Sequence, residues 1–259
     1  MSDFSFEDLT PEIILDAIES LGIYVTSGLL ALNSYENRVY QFTTEEHGRL
    51  VAKFYRPERW TNQQIQEEHD FAFELQSHEL PMVAPSKFER SEQRVKNAAV
   101  ADSSTLFIYK GYRFALFPSV GGRQFEVDNL DQLESMGRLI GRIHATSAKK
   151  PFVHRFSINV PEYLEQPIAE LKQSVLVPQH LHTPFFTIIE MVAEKAAAQY
   201  NSAISGITPI RLHGDCHPGN ILWRDGPMFV DLDDCRSGPA IQDLWMMLAG
   251  DYQQQQIQL

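Results

Sequence analysis

The chain has 259 residues, 22 Lys and Arg against 34 Asp and Glu, and a formal net charge of −12. Hydrophobic residues make up 43% and charged residues 22%, a balance that excludes a disordered or collagen-like chain. The length suits one large domain or two lobes, and the acidic field does not suit the grasping of nucleic acid.

Cys216 and Cys235 are the two cysteines, too few for a disulfide framework, so both are read as reduced thiols of a cytoplasmic protein. Met1-Ser2-Asp3-Phe4 opens no basic segment followed by an apolar run, so no signal peptide is expected. No stretch has the roughly 18 apolar residues of a membrane span.

Thr10-Pro11 opens a helix, since Thr can cap it and Pro is pre-set for its first position. Ile13, Ile14, Ala17, Ile18 and Leu21 then recur at helical spacing, and Gly22 stops the run. Three short apolar runs follow at 29–32, 38–42 and 50–54, separated by turn-like segments, which reads as an antiparallel meander. A helical pattern covers 62–77, with Ile65, Phe71 and Leu75 on its inner face, and Pro81 and Pro85 follow it. A second set of strands ends at 113–117. Pro118-Ser119-Val120-Gly121-Gly122 then breaks the pattern and suggests a hinge between two lobes. Beyond residue 127 the chain reads as helical, over 130–147, 161–175 and 184–204.

The stretch from Arg211 to Asp234 carries the chemistry. Asp225-Gly226 between apolar triplets is a hairpin signal, and a two-residue turn centred there places Asn220 opposite Asp231, while Pro227 at the first pair leaves a slip of one residue open. Two oxygen donors at the open end of one hairpin suit a hard cation such as Mg²⁺. Asp215, on the loop entering the hairpin, suits a carboxylate that takes a proton from an attacking hydroxyl. Asp and Asn also favour turns for local reasons, so the signal lies in the spacing of the set.

His213-Gly214-Asp215-x-x-x-x-Asn220 resembles the catalytic loop of the aminoglycoside phosphotransferase and choline kinase group, relatives of protein kinases. Asp231-Leu232-Asp233-Asp234 resembles that group's counterpart of the kinase D-F-G. Asn33-Ser34-Tyr35-Glu36-Asn37-Arg38, Lys53-Phe54-Tyr55-Arg56-Pro57 and Phe117-Pro118-Ser119-Val120-Gly121-Gly122-Arg123 look like the bacterial stress response kinase A branch. The resemblance implies an α+β, two-lobe protein-kinase-like fold, with a small antiparallel-sheet lobe over 1–118 and a mainly helical catalytic lobe over 119–259.

By the same resemblance Asp215 is the catalytic base, and Asn220 and Asp231 hold Mg²⁺, with Asp231 counted as catalytic too. Lys53 pairs the α/β-phosphates of ATP. Glu68 pairs with Lys53, and Glu67 is the competing choice. Ser34 stands in a turn that lacks the G-x-G-x-x-G of protein kinases and is the candidate for a phosphate contact. His213 packs and orients the loop, and Cys216 is read as a buried inert thiol. Trp60, Trp223 and Trp245 read as packing residues, and Asp243 either braces the catalytic loop or serves a helix N-terminus.

The reading is therefore an ATP- and Mg²⁺-dependent Ser/Thr protein kinase of the stress response, with autophosphorylation as one outcome. It is taken as a monomer, with no nucleic-acid or membrane partner. A small-molecule hydroxyl kinase, of aminoglycoside, choline or homoserine type, is the alternative. Two further readings are a non-catalytic ATP-binding scaffold and a hydrolase holding a transition metal through His213, Asp215 and His217. Members of the group continue for several helices beyond the Asp243-Leu244-Trp245 segment. The resemblance thus implies a shortened C-terminal lobe, in which ATP binding is more secure than full catalysis. A wall around the acceptor left open by that shortening, with helices 161–175 and 184–204 forming part of it, favours a protein segment over a small alcohol.

Overall fold

A computed structural model describes residues 5–88 and 104–258. The chain divides into two compact units: Met1–Glu126 with Pro218–Asp233, and Val127–His217 with Asp234–Leu259. The fold is α+β, as the resemblance implied.

The first unit opens with helix α1 (Pro11–Glu19), where the Thr10 hydroxyl accepts from the Ile13 N–H and Ile14, Ala17 and Ile18 are buried. A five-stranded antiparallel sheet follows, built from β1 (Leu30–Leu32), β2 (Arg38–Thr44), β3 (Gly48–Phe54), β4 (Phe107–Tyr109) and β5 (Tyr112–Pro118), in the order β1-β2-β3-β5-β4. Between β3 and β4 runs α2 (Asn62–Ser77), started by a complete capping box of Thr61 and Gln64. Side chains alternate across a strand. Leu50, Ala52 and Phe54 of β3 therefore enter the main core with Ile14, Ile18, Phe42 and Phe114. Val51 and Lys53 take the other face. The third strand of the meander is thus an interior strand, paired on one side with β2 and on the other with β5.

A short strand β6 (Arg123–Gln124) pairs with β8 (Ile221–Trp223), which pairs in turn with β9 (Pro227–Phe229). Gly122 makes the first pairing possible. A Cβ there would lie 2.9 Å from Leu222 Cβ and 3.1 Å from the Trp223 nitrogen.

The β8–β9 hairpin has a register one residue away from the expected one. Trp223 pairs with Pro227 and Ile221 with Phe229. The loop has three residues, closed by Arg224 N–H donating to the Gly226 carbonyl at 3.1 Å. A two-residue turn on Asp225-Gly226 would pair Arg224 with Pro227 and require an N–H that proline lacks. Asn220 consequently stands opposite Val230, whose N–H donates to the Asn220 carbonyl at 3.0 Å. Asp231 follows one residue beyond, in a left-handed conformation with φ of 62°.

The second unit begins with α3 (Leu130–Ser147), capped by Asn129 and burying Leu133, Met136, Leu139, Ile140 and Ile143. The helix expected over 161–175 is two pieces. A single wide turn, Pro161–Glu165, runs into α4 (Gln166–Gln173). Pro167 has no N–H for a continuous ladder, which accounts for the widened turn before it. Helix α5 (His182–Ala203) begins slightly earlier than the sequence suggested. Strand β7 (Ile210–Leu212) pairs antiparallel with β10 (Arg236–Gly238). The buried Arg211 donates to the Ser147 and Thr146 carbonyls at the end of α3, fixing β7 to that helix. A short helix α6 (Tyr252–Gln258) closes the described chain. Trp60 is buried and Trp223 stacks on Phe125 with ring centroids 6.0 Å apart. Trp245, expected as a packing residue, is 54% exposed. Among the described residues no helix is long and apolar enough to cross a membrane.

Candidate active site

The first unit contains a cavity of about 290 Å³, at the lower end of small-molecule sites. Strand alternation builds much of it: Val39 and Gln41 of β2 and Val51 and Lys53 of β3 share its wall. Ala72, Val83, Pro85 and Leu222 add apolar surface, and Phe117, Pro118, Ser119 and Val120 line it where β5 ends. Gln41 Nε2 donates to Ser119 Oγ at 2.8 Å, tying β2 to that segment. Besides Gln41, His69 and Ser119, the polar lining includes Asn33, Ser34, Lys53, Glu68, Asn220 and Asp231. Five residues singled out in the sequence, Ser34, Lys53, Glu68, Asn220 and Asp231, therefore line one cavity.

Lys53 is the centre of the charge in this cavity. Its ammonium is buried, and Nζ lies 2.8 Å from Asp231 Oδ1, 3.2 Å from Asp233 Oδ1 and 3.4 Å from Glu68 Oε1. Burial acts to lower the lysine pKa. The Asp231, Asp233 and Glu68 carboxylates outweigh it and hold the ammonium well above its ordinary range. The spacing on α2 explains why Glu68 faces Lys53. Ile65, Glu68, Ala72 and Leu75 form one buried helical stripe, whereas Glu67 is outside the buried set. Asp231 remains 48% exposed while Lys53 and Glu68 are nearly covered.

Asp233 was not singled out by the sequence reading. It stands two residues after Asp231, is buried, and reaches both Lys53 and Arg59, whose Nε lies 3.8 Å from Asp233 Oδ2. The alternation of Asp231 and Asp233 in an acidic run was the available signal, but an acidic run reads more simply as solvated surface.

Asp215 belongs to the second unit, on the loop that follows β7. Its carbonyl accepts from the His217 N–H at 3.0 Å, and its carboxylate lies 3.5 Å from His217 Nε2. The loop is braced by Asp243, which is 1% exposed. Asp243 Oδ2 accepts from the His213 N–H and Oδ1 from the Gly214 N–H, both at 2.9 Å. His144 Nε2 lies 3.1 Å from the same carboxylate. Of the two roles open to Asp243 in the sequence, its geometry is that of the brace: it ends a 3₁₀ turn, Ala240–Asp243, and starts no helix. Gly214 has φ of 87°, and a Cβ there would lie 2.0 Å from the Asp234 carbonyl oxygen, so only glycine fits.

Cys216 is buried, and burial first, then the Asp243 and Asp215 carboxylates, push its thiol well above the ordinary range. His213, Asp215 and His217 do not form a metal centre. Among the described residues no group of three His, Cys, Asp or Glu is arranged to hold a metal ion.

The comparisons with known proteins agree with this architecture. The sequence model of the phosphotransferase enzyme family, APH, matches residues 29–258. Stress response kinase A of Shigella flexneri is 51% identical over 258 residues, covering 100% of this chain and 74% of that protein. Serine/threonine protein kinase RdoA of Salmonella typhimurium is 49% identical over 256 residues, covering 99% of this chain and 73% of that one. The solved structure of amicoumacin kinase hAmiN in complex with AMP-PNP, Ca²⁺ and Ami superimposes with a TM-score of 0.63. It is 19% identical and covers 91% of this chain and 67% of that one, a likeness of fold. With a family model matched over most of its length and relatives near half identity, the chain belongs to the phosphotransferase enzyme family.

Proposed function

We propose that the protein transfers the γ-phosphoryl group of ATP to a Ser or Thr hydroxyl of a protein, in a bacterial stress response. The observation that carries this reading is the Lys53 ammonium beside Glu68, Asp231 and Asp233, in a cavity that also presents Ser34 and Asn220. The apolar wall of Val39, Val51, Ala72 and Val83 offers a surface for a purine. Lys53 pairs with the α/β-phosphates. The Ser34 hydroxyl and the backbone N–H groups of its turn offer further phosphate contacts.

The residues fit a divalent cation. Asp231 keeps an exposed face, and Asn220 adds an amide oxygen ligand in the same cavity. Asn220 and Asp231 would hold Mg²⁺, which when bound neutralises phosphate charge. Asp215 accepts the proton of the attacking hydroxyl, and Asp243 fixes the loop that carries it. The protein acceptor is supported by relatives near 50% identity named stress response kinase A and serine/threonine protein kinase RdoA.

The test is incubation with γ-labelled ATP and Mg²⁺, alone, with a general acceptor protein, and separately with choline and aminoglycosides. Phosphoserine or phosphothreonine on protein is the expected product. Label on the small alcohols and none on protein would overturn the acceptor assignment.

A further inference from the structure

A chain of opposite charges leaves the Lys53 cluster and ends on the turn that carries Ser34. Asp233, whose Oδ1 pairs with Lys53, turns its Oδ2 toward Arg59 Nε at 3.8 Å. Arg59 Nη1 lies 2.9 Å from Glu36 Oε2. Glu36 belongs to the turn 33–37 between β1 and β2, next to Asn33 and Ser34 of the cavity lining. The side chains along the path are shielded: 6% exposed at Asp233, 20% at Arg59 and 27% at Glu36. Such charges interact more strongly than fully solvated ones.

A second attachment reaches the same turn. Asn37 is buried, its Oδ1 accepts from the Arg56 N–H at 3.0 Å, and the Arg56 guanidinium pairs with Glu36. Burial acts to raise the Glu36 pKa, but Arg56 and Arg59 outweigh it and hold the carboxyl below its ordinary range. The two arginines differ in reach. Arg56 is 57% exposed and meets the turn, whereas Arg59 meets both the turn and Asp233.

We propose that Arg59 is a positioning residue that fastens the turn 33–37 to the Lys53 cluster through Glu36 and Asp233, presenting turn and ammonium to the nucleotide phosphates as one preorganised surface. The inference rests on the reading of this cavity as the phosphate site. Without Arg59 the turn must be ordered at the moment of binding, which costs affinity. The transfer step, once nucleotide is seated, is little changed.

The experiment measures the Kd of Mg²⁺–AMP-PNP, and the KM and kcat for ATP, in the wild-type protein, Arg59→Gln, Glu36→Gln and the double variant. Hydrogen exchange of the 33–37 amides is followed in the nucleotide-free proteins. The expected result is a Kd and KM raised about tenfold in each single variant, with kcat within about twofold. The double variant should be no weaker than the worse single one, because both changes cut the same link. Amide exchange over 33–37 should speed up in all three variants. Unchanged Kd in Arg59→Gln, independent effects that multiply in the double variant, or unchanged exchange would each overturn the inference while the wild-type protein still binds nucleotide. Failure of the wild-type protein to bind AMP-PNP would overturn the phosphate-site reading and this inference with it.

Discussion

Lys53 Nζ donates a hydrogen bond to Asp231 Oδ1 at 2.8 Å, across 178 positions of sequence. The bond joins an interior strand of the sheet to the segment after the β8–β9 hairpin. Lys53→Met leaves Glu68, Asp231 and Asp233 facing one another without that charge. A loss of roughly 3 kcal/mol in urea unfolding at about pH 7 is expected. A lysine whose folded pKa is raised above its unfolded value, near 10.4, adds stability that is complete below that value and is lost as pH rises through the folded pKa. The stability gap between wild type and variant should therefore stay level from about pH 7 to about pH 10 and narrow beyond. A gap already closing near neutral pH would contradict the assignment of charge to Lys53.

Asp215→Asn keeps the shape of the side chain and removes its basicity. Phosphoryl transfer should fall by about 10²- to 10⁴-fold, with nucleotide affinity within about threefold of wild type. Turnover near the wild-type rate, read by label transfer, would remove Asp215 from the reaction.

Asp243→Asn tests the brace. Both carboxylate oxygens accept backbone N–H groups, so an amide must turn its NH₂ toward one of these donors and leave it unsatisfied. A destabilisation of about 2–4 kcal/mol and a lower kcat with little change in KM are expected from thermal melts and steady-state rates. Equal kcat in a folded variant would show that the His213–Asp215 segment holds its shape without Asp243.

The spans of α2 and α3 were legible because apolar residues recur at helical spacing within them, and the structure starts each on a side-chain cap, Thr61 with Gln64 at one and Asn129 at the other. Asn220 and Asp231, chosen from their spacing in the sequence, line the same cavity, whereas Asp215 belongs to the second unit. The hairpin register was legible only as a choice of two, because Asp225-Gly226 signals a short turn while Pro227 denies that turn its closing hydrogen bond, and the structure takes the register slipped by one. Asp233 was passed over for a different reason. Its burial against Lys53 and Arg59 depends on strands and helices far away in sequence, and nothing in the run Asp231 to Asp234 separates it from a solvated neighbour. Asp243 was visible as a residue with two possible uses, and only the closing of β7 against β10 selects between them.

Cys216 should be unreactive in the native protein. The thiol is buried and its pKa is raised, so little thiolate forms at about pH 8. Cys235 is buried as well. Iodoacetamide should label neither cysteine until guanidinium unfolds the chain, when both should react. Prompt labelling of Cys216 in the folded protein would contradict the burial described for the loop.

On the proposed function, the Lys53 cavity holds ATP together with a divalent cation. Calorimetric titration of AMP-PNP, with Mg²⁺ and again with EDTA, into the wild-type protein and Asp231→Ala tests it most directly. Binding should depend on Mg²⁺ in the wild-type protein and be lost in Asp231→Ala while the variant stays folded. Equal affinity in Mg²⁺ and EDTA, or binding unchanged by Asp231→Ala, would contradict it.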